Sequence, residues 1–588
     1  MVAVLPDQLL IVDLDRNKIA TKQLPARWIT SYLGGKGLGA RYLYEMVGPE
    51  TDPFDPDNRL LLLTGPLSGY LPGDARVAAI TKSPLTGLFL DSYLGGSFGH
   101  AIKARLPDYV GIAIHGISET LCVLDLRDEL PRLHSMNDLA GATIDVVDEY
   151  FPDASVLATG PAGERGVRFA TISTDGGDHH AGRGGAGAVM GTKGLKAIVV
   201  PSAAELPTPT TELANLQKRT AQAIDSTPYG AAYKASGTHE SIEFADSTDV
   251  LPSYAWLSRG FSSAHELGID AVREAADGRE HDDSAYPGDF RMPTDAGQTI
   301  IRGGTPMALG SLLGIEDFDE IAKLGGLCDR YGIDVISASN AIGFAIRASI
   351  QGHMTRKLPF GDTDVIESLI HEIATGSSEL GRLLGQGVDR AAREIHLEGE
   401  VPTVKAMALP SFDPRGAPAM ALAYATSDRG ACHRRAVPVT VQVFNPDWTP
   451  TQTAEAIIAE QDRRAVLWNL IMDDLLTPIL QDLGESWLDA IGYEIDASRL
   501  KQIGVRTWTT TRLFNVREGV NREADRLPDV FFETDGIDHV WFDRCLSRYY
   551  ELREWDQNGR PSLRLLERLN LAEMVDQDTP VGGHPLRR

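Results

Sequence analysis

Apolar and polar positions fall into two textures that meet near residue 205. Before that point, short apolar runs bounded by Gly, Pro or Asp occur at residues 9–14, 60–63, 77–81, 110–115, 121–124, 168–173 and 197–200. Such runs predict β-strands. One helix is predicted after Gly34-Gly-Lys-Gly37, carrying residues 40–47. Pro201, Pro207 and Pro209 among Ser, Thr and Ala mark residues 201–211 as a linker. From Glu212 the spacing becomes helical, at residues 213–224, 318–331, 336–350, 365–375, 380–394, 453–480 and 563–574. Residues 271–297 are polar, acidic and proline-bearing, which predicts a long surface loop, and the last dozen residues predict a disordered tail. No internal repeat is visible.

Bulk properties narrow the class. A chain of 588 residues is too long for one core and predicts several domains, here 1–205, 212–408 and 409–588. The formal net charge of −26 excludes nucleic acid and anionic membranes as partners. Arg outnumbers Lys and Asp is abundant, as a salt-rich (halophilic) cytoplasm favours; a merely acidic mesophilic enzyme is the alternative. The absence of a signal peptide and of a membrane-length apolar run gives a cytoplasmic expectation. Cys122, Cys328, Cys432 and Cys545 are far apart, with no Cys-x2-Cys, and read as buried apolar residues.

The candidate chemistry centres on the stretch from His180 to Lys196, where Gly182, Gly184, Gly185 and Gly187 permit close approach of the backbone to a ligand. Successive amides there can make an anion site, and Arg183, Lys193 and Lys196 add charge suited to phosphate. The spacing is neither a Walker loop nor a dinucleotide fingerprint. Taken alone, a tight turn explains it equally well.

Other segments resolve that choice by resemblance. Gly34-Gly-Lys-Gly-Leu-Gly39, Thr64-Gly-Pro-Leu-Ser-Gly69, Arg76, Thr81-Lys-Ser-Pro-Leu-Thr-Gly87, Gly95-Gly-Ser-Phe-Gly99 and Gly160-Pro-Ala-Gly-Glu164 precede the glycine loop. Asp329-Arg-Tyr-Gly-Ile-Asp334, Phe412-Asp-Pro-Arg-Gly416 and Leu422-Ala-Tyr-Ala-Thr-Ser-Asp-Arg-Gly-Ala-Cys-His433 follow it. In order and spacing the chain resembles the tungsten-containing aldehyde ferredoxin oxidoreductase family over nearly its whole length. The resemblance implies an α+β fold, with an N-terminal β-sandwich-like pterin-binding domain followed by two mainly helical domains. It implies a tungsten (or molybdenum) bis-pyranopterin cofactor with magnesium, no protein ligand to the metal, an aldehyde or related carbonyl substrate and a homodimer.

By the same resemblance, Arg76, Gly95, Arg183 and Gly184 contact phosphates or magnesium, with the carbonyls of Tyr93 (the family has Asn there) and Gly184 available to the ion. Gly182, Gly185, Gly187, Lys193, Arg429 and Cys432 are assigned to the cofactor in the same way; the family's second pterin motif is unrecognisable around residues 468–475, where Asp473 or Asp474 is a candidate pterin contact or, equally, a solvated surface carboxylate. Asp329 and Asp334 match a motif whose carboxylates suit pterin N–H donors; a helix C-cap at Gly332 followed by an N-capping Asp is the plainer alternative. His433 lies beside the metal by resemblance, where an imidazole serves as acid–base group.

The departures matter as much. The loop from Asp283 to Phe290 stands where the family carries three cysteines, and Met472-Asp473-Asp474 near the fourth, so no [4Fe–4S] cluster is expected. Arg302-Gly-Gly-Thr305 stands where a glutamate is expected. Electrons would then leave through an external redox partner or a soluble acceptor. A non-redox metallopterin hydratase or isomerase, and a non-catalytic scaffold paralogue, are the alternatives.

Overall fold

The computed structural model describes residues 5–71, 76–203, 205–276, 278–280, 289–295, 297–476, 482, 484–533 and 536–583. The N-terminal part contains two six-stranded mixed sheets. The strands are β1 (Gln8–Asp13), β2 (Lys18–Gln23), β3 (Leu60–Leu63), β4 (Val77–Lys82), β5 (Phe89–Leu94), β6 (Tyr109–His115), β7 (Cys122–Asp125), β8 (Arg132–Ser135), β9 (Ala154–Ala158), β10 (Ile172–Thr174), β11 (His179–Ala181) and β12 (Leu195–Pro201). The first sheet runs β2-β1-β6-β3-β4-β5 and the second β11-β10-β9-β12-β7-β8. β1 and β6 pair in parallel, as do β7 and β12; the other pairings are antiparallel.

Leu62 and Ile112 of the first sheet share one apolar core with Leu124 and Ile198 of the second, and with Phe98 and Ile102 of the helix Ser97–Arg105. β3 is four consecutive buried leucines because both its faces are covered. β2 was not predicted: it is an edge strand with mostly exposed polar residues, so it carries no apolar run.

The rest of the chain is mainly helical. The helices Pro450–Leu470, Ala497–Arg517, His539–Leu552 and Gly35–Met46 pack together, so the one long N-terminal helix inserts into the C-terminal bundle. Asn469 ties three of them: its Oδ1 accepts from Gly37 N at 2.8 Å and its Nδ2 donates to Thr507 Oγ1 at 2.8 Å. A single apolar cluster includes Leu38, Leu324 and Trp508, one from each predicted segment.

Several expectations change. Residues 380–394 form two helices, Glu379–Leu384 and Val388–Glu394, broken where Gly387 takes φ 91°. The helix expected over 453–480 stops at Leu470, because Ile471 adopts φ 55° and caps it. The region read as a loop over 271–297 contains the end of the helix Ile269–Ala275 and an antiparallel sheet of Gly278–Glu280, Asp289–Thr294 and Gly297–Ile301. Phe290 and Met292 alternate inward there, a strand pattern masked by Pro293; the cysteine-free segment 281–288 lies outside the described residues. The tail is packed as far as it is described: Tyr44 Oη donates to Met574 O at 2.6 Å and Gly582 N to Pro561 O at 2.9 Å. Among the described residues no helix is long and apolar enough to cross a membrane.

Candidate functional site

The glycine loop joins β11 to the helix Ala186–Thr192. Gly184 and Gly185 take φ of 90° and 85°; a Cβ would lie 2.4 Å from Leu90 Cδ1 and 2.2 Å from Arg168 O respectively. Only glycine fits both the left-handed backbone and the space. The turn aims Arg183 inward across the molecule. Its guanidinium donates to Ala431 O at 3.0 Å and to Ala408 O, with Asp334 Oδ2 3.7 Å from Nε. Burial lowers the pKa of Arg183, and Asp334 partly offsets this.

Asp334 also N-caps the helix Val335–Ile350 through Ser337, and Gly332 at φ 71° caps the helix before it. The plainer alternative for this motif therefore describes the backbone, while the same carboxylate faces Arg183. Asp329 turns instead to His180 Nε2 at 3.1 Å and Thr299 Oγ1 at 3.5 Å.

The buried segment after the helix Ala419–Thr426 brings the third motif to Arg183. Arg429 donates to Asp91 O at 2.6 Å and to Cys432 Sγ at 3.1 Å. Burial raises the Cys432 thiol, but Arg429, Arg435 and Arg183 together outweigh it and bring it down from 9.0 to about 7. His433 is only partly accessible. Burial first, then Arg434, Arg183 and Arg429, hold its pKa well below 6.5, so the imidazole is neutral at neutral pH. It can donate one hydrogen bond and accept one, and is poised as a base rather than as a ready acid.

Beneath these residues lies an ion network that sequence reasoning missed. Lys36, fully buried, sits 3.1 Å from Asp91 Oδ2 and 2.5 Å from Asp428 Oδ2. Arg435 pairs with the same two carboxylates, reaching Asp428 Oδ1 at 2.9 Å, and its guanidinium lies 4.3 Å over the Trp468 ring. Tyr93 stacks on the same indole at 5.6 Å and donates to Asp91 Oδ2 at 2.7 Å. Its phenol is pushed well above 10, by burial first and then by Asp91. The available signal was a charge embedded in glycine or alanine: Lys36 in Gly34-Gly-Lys-Gly37, and Asp428 and Arg435 flanking the Cys-His pair.

A second buried network adjoins His433. Arg76 meets Asp473 Oδ2 at 3.1 Å; Asp474 binds Arg434 Nε at 3.0 Å and Arg464 Nη1 at 2.6 Å. Burial raises the Asp473 pKa, whereas for Asp474 burial is overcome by Arg434, Arg464 and Arg76, which lower it.

Arg183, Asp334, Arg429, Cys432 and His433 thus converge, with Tyr93 linked through Asp91 and Arg76 with Asp473 through Arg434. Lys193 does not join them: its ammonium donates to Asp55 O, Pro56 O and Gly116 O, and the charges around it are Arg59, Asp15, Asp57 and Asp55. Gly187 serves helix packing, its Cβ position lying 2.0 Å from Thr171 O. The Gly184 carbonyl accepts from Ser83 Oγ at 2.7 Å, leaving one lone pair. Gly182 faces Asp334 Oδ1, and Gly95 directly follows β5.

Arg76, Arg183, Arg429, Arg434, Arg435, Arg464 and Lys36 outnumber Asp91, Asp334, Asp428, Asp473 and Asp474. Arg183 Nε, Arg429 Nε and His433 Nδ1 are buried with no hydrogen-bond partner among the described residues. Buried donors in excess of acceptors suit an anionic group with many acceptor atoms, as a phosphorylated pterin is. No cluster of three or more His, Cys, Asp or Glu among the described residues is arranged to hold a metal directly.

Residues 9–202 match the family model described as "Aldehyde ferredoxin oxidoreductase, N-terminal domain", and residues 215–571 that of "Aldehyde ferredoxin oxidoreductase, domains 2 & 3". The chain is 28% identical to the tungsten-containing aldehyde ferredoxin oxidoreductase of Pyrococcus horikoshii, over 97% of this chain and 99% of that one. It is 25% identical to an aliphatic sulfonate oxidoreductase WOR-like subunit of Pyrococcus furiosus, over 96% of this chain and 97% of the relative. A solved structure described as the active-site complex BamBC of benzoyl coenzyme A reductase with 1,5-dienoyl-CoA contains a chain of the same fold. It superposes with a TM-score of 0.82 at 22% identity, covering 98% of both chains.

Proposed function

The chain belongs to the aldehyde ferredoxin oxidoreductase family, and from that premise we propose that it oxidises an aldehyde or related carbonyl compound with a tungsten or molybdenum bis-pyranopterin. The observation that carries this reading is that the buried Nε donors of Arg183 and Arg429 have no hydrogen-bond partner among the described residues, around left-handed Gly184 and Gly185. Bound there, the metallopterin supplies the two-electron chemistry.

The chain's own residues do the rest. Arg183, Arg429 and Arg76 would hold phosphate, Asp473 would meet a pterin edge, and the remaining Gly184 lone pair would be available to magnesium. Tyr93 on Trp468, over the Lys36–Asp91–Asp428–Arg435 network, fixes the floor and excludes water. Converting an aldehyde to an acid adds an oxygen from water and releases two electrons with protons; His433, neutral, takes one proton at Nδ1.

Iron–sulfur relays need thiolates, and the four cysteines lie in separate elements: Cys122 in β7, Cys328 in the helix Phe318–Tyr331, Cys432 at the site and Cys545 in the helix His539–Leu552. Electrons therefore leave to an external acceptor. The same scarcity of thiols favours a second reading, a non-redox metallopterin hydratase or isomerase. Elemental analysis of native protein with aldehyde-dependent dye reduction separates them. Tungsten or molybdenum present, iron far below one cluster per chain and dye reduced supports the first. A metal of unchanged valence during turnover supports the second, and no bound metal removes both.

A further inference from the structure

Two carbonyls hold the guanidinium of Arg183, those of Ala408 and Ala431, and both depend on one hairpin. The two-residue strands Thr403–Val404 and Met407–Ala408 pair antiparallel, with Lys405 and Ala406 as the turn between them. Ala408 belongs to the hairpin itself. Ala431 is tied to it through its own amide, which donates to Val404 O at 3.3 Å. With both Nη atoms engaged in this way, Arg183 Nε is left without a hydrogen-bond partner among the described residues.

The turn is strained. Lys405 and Ala406 take φ of 51° and 62°, where a hairpin of this length favours Asn and Gly. Such strain persists only where the surroundings over-determine it. Here the Lys405 side chain, 2% exposed, supplies the constraint. Its ammonium pairs with Asp525 at 2.7 Å and donates to Ala425 O and, at 3.2 Å, to Ser427 O. Asp525 is itself fixed by the C-terminal bundle, through Arg512 at 2.8 Å and the Tyr550 hydroxyl at 2.6 Å. Ala425 and Ser427 end the helix Ala419–Thr426, where a cation suits the free carbonyls. The chain runs on from there to Arg429, Cys432 and His433. One ammonium therefore clamps the bundle, the helix end and the hairpin together.

We propose that Lys405 is a positioning residue for the anion site: its buried ammonium locks the hairpin in the arrangement that occupies both Nη atoms of Arg183 and leaves Nε for an incoming phosphate. The inference rests on reading the Arg183–Arg429 cluster as the phosphate-binding part of the cofactor site. Without the clamp the turn relaxes, the two carbonyls shift, and Arg183 falls back on Asp334, whose Oδ2 lies 3.7 Å from Nε. Asp525 offsets the charge of the ammonium, so its effect on a bound anion is one of geometry.

The test uses the full-length chain without cofactor and inorganic phosphate as the probe. Calorimetry reads affinity, and ultraviolet thiolate absorbance reads Cys432, whose thiol titrates from about 7. The absorbance reports that thiol alone through neutral pH, because burial pushes those of Cys122, Cys328 and Cys545 upward. Lys405→Met weakens phosphate about tenfold, the loss of about one hydrogen bond to an ion, and raises the Cys432 titration as Arg183 withdraws. The double variant Lys405→Met/Asp525→Asn, which removes the buried pair together, stays as weak. Ala406→Gly, which relieves the turn and keeps the ammonium, binds as wild type does. With circular dichroism unchanged, an unaltered affinity and thiol titration in Lys405→Met overturn the proposal. Recovery in the double variant also overturns it, since the effect would then be one of charge, as does an equal loss in Ala406→Gly. If phosphate binds none of these proteins but the thiol titration still moves with Lys405, the clamp stands and the anion-site reading fails.

Discussion

Cys432 offers a direct measure of how positive the site is before any anionic cofactor enters it. The ordinary value for such a thiol is 9.0; in the folded chain it is about 7, because Arg429, Arg435 and Arg183 outweigh the effect of burial. Unfolding separates the sulfur from those guanidiniums. Between these two values the unfolded thiol holds a proton that the native chain has released, so stability rises with pH across the window. It is fully present above about pH 9 and lost as pH falls through about 7. Two pKa units correspond to about 2.7 kcal/mol.

The assay is urea unfolding of cofactor-free protein at fixed salt, from pH 6 to pH 9, comparing wild type with Cys432→Ser. Other titrating groups, Lys193 and Lys103 among them, cancel in the difference. That difference should widen by about 2–3 kcal/mol from the acid to the alkaline end. Arg429→Gln, which removes the 3.1 Å contact to sulfur, should shrink it. Phosphate groups on Arg183 and Arg429 compete for the same positive charge, so in cofactor-loaded protein the thiol returns toward its ordinary value and the widening fades. Parallel curves for wild type and Cys432→Ser in the cofactor-free protein would refute the reasoning, because they would mean that the guanidiniums do not act on the sulfur.

Replacing His433 by Phe should lower kcat by about 100-fold or more while circular dichroism stays unchanged. With the wild type, the pH profile of kcat/KM should show no inflection from this imidazole between pH 6 and 8, since its pKa is held well below 6.5; an inflection there that vanishes in the variant would contradict the assignment. Lys36→Met leaves Asp91 and Asp428 short of a buried cation and should cost about 3–5 kcal/mol in urea unfolding. Pairing it with Asp428→Asn should recover part of that loss. Arg183→Met should lower the tungsten or molybdenum retained per chain by about tenfold, the effect of about 1.4 kcal/mol of lost binding, as read by elemental analysis.

The parts of this molecule legible in the sequence are those whose chemistry is local. β3 and the helix Phe318–Tyr331 announce themselves by an apolar run and by three-to-four spacing, and the glycine loop by residues that must take positive φ. The helix Ala497–Arg517 does not, although the bundle is built around it. It is buried on nearly every side, yet its central turns are Arg506, Thr507, Trp508, Thr509, Thr510 and Thr511, which read as polar and strand-prone. The structure reconciles this through the hydroxyls: Thr509, Thr510 and Thr511 donate back to Val505 O, Arg506 O and Trp508 O at 2.8–3.0 Å. Each threonine satisfies its polar atom within its own helix, and the Thr510 hydroxyl is shared with Tyr32 Oη at 2.8 Å.

The site obeys the same logic at longer range. Lys36, Asp91 and the pair Asp428 and Arg435 come from three distant parts of the chain, and each alone would be an expensive burial. Only their mutual pairing makes them tolerable, and the small residues around Lys36, Asp428 and Arg435 do not show which charges pair. Motifs could indicate which anion the loop suits. The charges that make room for that anion become visible only once the sheets and the helical bundle have closed on one another.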